Sequence, residues 1–183
     1  MQSAKILIDA AIKCGASNAA VIRVSDIPFH REFRAACEQN TCGKFGKCWM
    51  CPPDIGDADE LISDAKSFAH ALIMQTVDKL EDSYDIEGMQ NASINHNALV
   101  RKIPIELEHL LPGPVLKLGA GGCHTCPRCA KLSDTPCRSP EKVVAPMEAY
   151  GISVSELASI CKLNYINGQN TVTYFGAILF GSK

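Results

Sequence analysis

The chain has 183 residues, 18 Lys and Arg against 20 Asp and Glu, a net charge of −2, and 10 cysteines. That balance gives no reason to expect nucleic acid or an anionic membrane surface as a partner, and no apolar run approaches the ~20 residues that a membrane helix needs. A chain of this size buries roughly 70% of its unfolded surface and sustains a core without crosslinks, so the excess of cysteine points to sulfur chemistry and away from a disulfide scaffold.

In chain order, residues 3–14 place Ile6, Leu7, Ala10 and Ala11 on one side of a helix that Gly15 ends. The apolar run interrupted by Lys5 and Asp9 is no signal-peptide core, and the expected location is the cytosol. Residues 19–24 read as a strand, and Phe29, Phe33 and Cys37, four apart, as a short helix leading into a first cysteine window. Residues 58–68 are helix-like, with acidic residues at the start where the helix dipole favours them. Residues 71–77 form a second strand, 78–88 a loop or helix start, and 92–111 a helix that Pro104 kinks or divides. Residues 112–114, Pro-Gly-Pro, break the chain before a strand at 115–118 and a second cysteine window. A capping-box pattern, Ser153 with Glu156, opens a helix at 153–161, and 171–180 is the strongest strand. The expected fold is α/β or mixed α+β, a single domain over 1–183 with a roughly four-stranded sheet, flanking helices and two cysteine-rich metal-binding loops. Both windows follow strands, directly or after a short helix, and are expected to share one rim of the sheet.

The first window holds Cys37, Cys42, Cys48 and Cys51; the second holds Cys123, Cys126, Cys129 and Cys137. The remaining two, Cys14 and Cys161, sit in apolar surroundings and read as small core residues. Cys123, Cys126 and Cys129 have the C-x2-C-x2-C spacing with which bacterial ferredoxins open a cluster loop, although seven residues, not three, precede Cys137. Cys51-Pro52 repeats the Cys-Pro ending of such loops. Gly43 and Gly46 allow a tight wrap, and Trp49 would shield the site from water. Lys44 and Lys47, and in the second window Arg128, Lys131, Arg138 and Lys142, make both windows locally positive, which suits a negatively charged cluster. Zinc is the rival, with Cys48 and Cys51 joining two ligands from the second window, but structural zinc ordinarily takes two C-x2-C pairs a dozen or more residues apart.

The run 42–53, together with 119–140 and Pro146-Met147-Glu148-Ala149-Tyr150-Gly151-Ile152, resembles a family of predicted metal-binding proteins from bacteria and archaea. The resemblance spans nearly the whole chain. It implies a cysteine-ligated metal centre, iron–sulfur in kind and anaerobic in setting, and implies no particular reaction. The family's glycine-containing turn is expected to carry a small polar or non-ligand residue where Cys48 stands, which ranks Cys48 below Cys42 and Cys51 as a ligand.

Elsewhere, His124 beside Cys123 is a candidate ligand or donor to sulfide, and Glu148 and Tyr150 are candidates for a substrate pocket. His30, His70, His96 and His109 lack pairing at metal-site spacing and are expected to be structural. The run 119–122, Gly-Ala-Gly-Gly, lacks the Lys and following helix of a phosphate loop, and there is no nucleophile elbow. The expected function is a protein with two [4Fe-4S] clusters, ligated by the eight clustered cysteines, that passes electrons to a partner redox protein. The alternatives are a zinc-stabilised structural or regulatory domain and an enzyme whose cluster acts as a Lewis acid.

Overall fold

The computed structural model describes residues 2–111 and 113–182, so Pro112, expected to break the chain, lies outside the described residues. The fold is mixed α+β. Five helices, α1 (Gln2–Cys14), α2 (Arg34–Glu38), α3 (Ala58–Lys66), α4 (Ile86–Glu106) and α5 (Val154–Ile160), surround strands β1 (Asn18–Arg23), β2 (Phe68–Lys79), β3 (Leu116–Gly119), β4 (Ala145–Pro146) and β5 (Thr171–Ser182). The strands form one sheet in the order β1-β2-β5-β3-β4. All pairings are antiparallel except β3 with β4.

Five strands stand where roughly four were expected, and the fifth is β4. Two residues show no periodicity, and one of them is proline, which the sheet accepts because β4 is an edge strand that needs no ladder donor there. Helix α4 begins at Ile86, six residues before the expected start, because Asp85 caps it by accepting from the Gly88 N–H at 2.7 Å. Pro104 falls in its last turn, and a 3-10 turn (Glu108–Leu110) follows. Ser153 caps α5 as its pattern indicated, accepting from the Glu156 N–H, but the Glu156 carboxylate is taken by His30 Nε2 at 2.9 Å.

The central strands are buried on both faces, which is why they appear as continuous apolar runs without alternation. On one face Ile73, Phe175, Ala177 and Leu179 pack with Met147, Ile152 and Leu157; on the other Leu72, Met74, Ile178 and Phe180 pack with Leu7 and Ala11 of α1 and Val100 and Ile103 of α4. Cys14 and Cys161 lie partly buried against these two clusters. Because β3 and β4 run parallel, the segments leaving them emerge at the same rim. A bridge between Phe29 and Ile152, with the His30 N–H donating to Gly151 O at 2.7 Å, brings the approach to the first window to that rim as well. Gly151 adopts φ +70°, and a Cβ there would lie 2.8 Å from His30 O, so only glycine fits this crossing.

His96 of α4 is wholly buried, with Nδ1 on Thr76 Oγ1 at 2.9 Å and Nε2 without a hydrogen-bond partner. Burial holds its pKa down to about 4, against an ordinary 6.5. Between those values the unfolded chain binds a proton that the native chain refuses, so stability is full above pH 6.5 and is lost as pH falls towards 4. The loss approaches ~3 kcal/mol when the native imidazole is finally charged. Denaturant unfolding at pH 7 and pH 4.5 should show a smaller pH-dependent loss for His96→Asn than for the wild type; equal losses would place the effect elsewhere.

Candidate metal centre

All ten cysteines are free thiols, and the eight clustered ones sit on two loops that meet at the β3/β4 rim. Cys37 is carried by α2, after which the chain turns without regular structure until Asp57 caps α3. Asn40 organises the first of these turns: its backbone is left-handed, its N–H donates to Cys37 O, and its Oδ1 accepts from the Phe45 N–H at 3.0 Å. The Gly46 N–H then reaches Pro52 O at 2.8 Å, folding residues 46–52 into a compact wrap. Within it the Cys51 N–H donates to Cys48 O at 2.9 Å, a turn of one residue and its third successor. The second loop leaves β3 through 119–122, where buried Asn97 of α4 donates from Nδ2 to Ala120 O at 2.8 Å. It is closed below by Thr125 Oγ1, which accepts from the Cys123 thiol and donates to Lys142 O.

A clamp joins the two loops. Trp49 Nε1 donates to Thr135 O at 2.9 Å, and Lys131 Nζ pairs with Asp54 at 2.7 Å while lying 4.5 Å from the centre of the Trp49 ring. Lys131, Asp54 and Trp49 are each largely withdrawn from solvent, where a charge-assisted pair and a cation–π contact gain strength. Lys131 is thereby committed to holding the loops together and is not free to balance charge at a metal.

The eight clustered cysteines line two cavities. Cys37, Cys42 and Cys51 border a cavity of about 190 Å³ with Glu148, Phe45, Pro52, Pro146 and the backbone of Gly121 and Gly122. Cys48 borders the other, of about 20 Å³, with Cys123, Cys126, Cys129 and Cys137 under Trp49 and Met50. At the ~30 Å³ that a water occupies in the liquid, the first has room for about six and the second for about one. Cys48, ranked low as a ligand, is fully buried among the cysteines of the opposite window. Around its sulfur stand the Cys51 and Cys129 thiols and the Met50 and Cys123 peptide groups.

These contacts divide the Cys48–Cys51 pair. Hydrogen bonding from Cys51 first, and from the two peptide N–H groups, draws Cys48 down to about 6, the thiolate side of neutral. Cys51, holding the shared proton and buried, is pushed up. Burial, reinforced by Glu148, raises Cys37 to about 11. A Cβ on Gly122 would stand 3.3 Å from Cys51 Sγ and 2.9 Å from Lys44 Cγ, so the glycine lets the second loop pass directly behind the first cavity.

Of the other candidates, Glu148 lines the first cavity from a 3-10 turn (Met147–Tyr150), and desolvation raises its carboxyl. Tyr150 is a core residue. His124 borders neither cavity and lies instead with Lys44 in a neighbouring pocket. His30 joins Glu156 and Glu32 at the base of α5 and is structural. Among the described residues no three His, Cys, Asp or Glu side chains converge on one point that would hold a single metal ion. The clamp, the division of Cys48 from Cys51 and the part of Asn97 escape sequence reasoning, since spacing records where thiols lie along the chain and not which way they face.

No helix among the described residues is long and apolar enough to cross a membrane. No curated protein and no solved structure matches the chain. A family model described as predicted metal-binding protein (DUF2284) matches residues 20–180, which include every cysteine of both cavities. The chain belongs to that family of predicted metal-binding proteins.

Proposed function

We propose that the two cavities hold iron–sulfur clusters, of the [4Fe-4S] kind, and that the protein passes electrons to a redox partner in the reducing setting of the cytosol. The observation that carries this reading is that the eight clustered cysteines line two cavities. Tetrahedral zinc, with Zn–S near 2.3 Å, wants its ligands gathered on one point. Among the described residues no such point is found. Cysteine thiolates hold such clusters, and hydrogen bonds to sulfur together with burial set their potentials.

The donor set fits the group. Cys37, Cys42 and Cys51 would hold a cluster in the first cavity, and thiols from Cys48, Cys123, Cys126, Cys129 and Cys137 would hold one in the second. The cluster supplies reversible one-electron chemistry. The chain supplies exclusion of water by Trp49, Met50 and Phe45, and a short covalent path, Cys48 to Cys51, between the two cavities. Cys42 is exposed at the rim, beside Lys44 and Lys47, so an acidic patch on a redox partner has a positive face to meet.

Anaerobically reconstituted protein should contain about eight iron and eight acid-labile sulfide per chain, as two such clusters require. Cys51→Ala, and a triple variant combining Cys123→Ala, Cys126→Ala and Cys129→Ala, should each lower that iron by about half; unchanged iron in either removes its loop from the ligand set. Stoichiometric zinc without sulfide overturns the reading. Trp49, the single tryptophan, lines the second cavity, where light absorption by a bound cluster would quench its emission. Its fluorescence should therefore fall on reconstitution of the wild type and of Cys51→Ala, and much less in the triple variant.

A further inference from the structure

The first cavity has three thiols and no fourth. Cys48, the remaining cysteine of that window, borders the second cavity and not the first, across the 48–51 turn from Cys51. Cys14 and Cys161 belong to the two core clusters beside the sheet. The second cavity, by contrast, is bordered by five cysteines, more than the four that a cluster takes. The first is nevertheless the roomier of the two, and apart from its thiols its lining is largely apolar, with Ala36, Phe45, Pro52 and Pro146. Two lining residues carry side-chain oxygens, Thr41 and Glu148. Glu148 rides on a rigid mount, since its neighbours Met147, Ala149 and Tyr150 are all buried in the core.

We propose that Cys37, Cys42 and Cys51 hold a cluster with one iron left free of protein thiolate, and that the cavity admits a small, largely apolar ligand carrying a hydroxyl to that position, with Glu148 accepting the hydroxyl's hydrogen bond. This rests on the iron–sulfur reading above. Three observations combine in it: a ligand set one thiolate short, a rim at which Cys42 is exposed, and a single carboxyl group in a largely apolar wall. An apolar lining with few placed polar groups is the ordinary character of a small-molecule site. The wall favours a neutral hydroxyl over an anion, because a charge brought there would lose its water and meet no Lys or Arg side chain. The second centre, fully supplied with thiolates, then serves electron transfer, while the first also binds.

The test uses anaerobically reconstituted protein. Brief oxidation by ferricyanide should remove one electron and release one ferrous ion from the first centre, leaving a [3Fe-4S] paramagnetic signal. Refilling with ferrous ⁵⁷Fe in the presence of dithionite, which returns the electron that ferricyanide removed, should then label a single site by Mössbauer spectroscopy. That labelled site should persist in Cys126→Ala and be lost in Cys51→Ala. Propan-1-ol should shift its quadrupole splitting, acetate should need at least about tenfold higher concentration, and Glu148→Leu should weaken the propan-1-ol response about tenfold, as loss of one hydrogen bond implies. Glu148→Cys should complete the thiolate set and suppress the labile iron. A protein that retains sulfide but yields no labile iron overturns this proposal alone, and one that contains no sulfide overturns it together with the iron–sulfur reading. A labelled site that Glu148→Leu alters before any alcohol is added makes Glu148 itself the ligand. A labelled site indifferent to propan-1-ol removes the binding role.

Discussion

The arrangement of the whole site depends on one tight turn. Cys48 and Cys51 are joined by the hydrogen bond from the Cys51 N–H to Cys48 O, yet their sulfurs border different cavities. A turn this short has little freedom to redistribute its side chains, so the division of the thiols into three and five follows once the turn is seated. Its seating is fixed from outside by Trp49, between the two cysteines, which is bonded to Thr135 and covered by Lys131. The half-buried pair of Lys131 with Asp54 ties the same two loops a second time. Removing both ties would free the windows from each other without touching a thiol.

The sheet's part is to deliver the pieces to one place. β3 releases the second window at Gly119, and its parallel neighbour β4 releases the turn that carries Glu148. The crossing of His30 over Gly151 sets α2 and Cys37 against that turn. Convergence of loops at the carboxyl ends of parallel strands is a general habit of sheets with bound ligands. Here it is achieved by a single parallel pair at the edge of an otherwise antiparallel sheet. The proposed centres are thus mounted on rigid elements at their margins, while the thiols themselves lie on loops.

Much of the fold was legible because the physics was local. The core of β2 and β5 is apolar on both faces, and Gly15 ends α1. Ser153 opens α5. What was hidden lies in contacts between residues far apart in the chain. β4 is too short to carry a period, Trp49 meets Thr135 across 86 residues, and His30 takes the capping-box Glu156 across 126. Spacing identified the eight cysteines as a group, and the structure brings all eight to the two cavities. It did not reveal that Cys48 changes sides, because a C-x2-C interval serves equally well for two ligands of one metal or one ligand of each of two.

The central claim is that this turn stands between two reducible centres. Paramagnetic resonance of the fully reduced, reconstituted protein tests it most directly. Two clusters whose ligands are three residues apart lie close enough for their spins to interact, so the account predicts about two spins per chain and a spectrum split by mutual coupling. A single uncoupled signal integrating to about one spin per chain in fully loaded protein would contradict it.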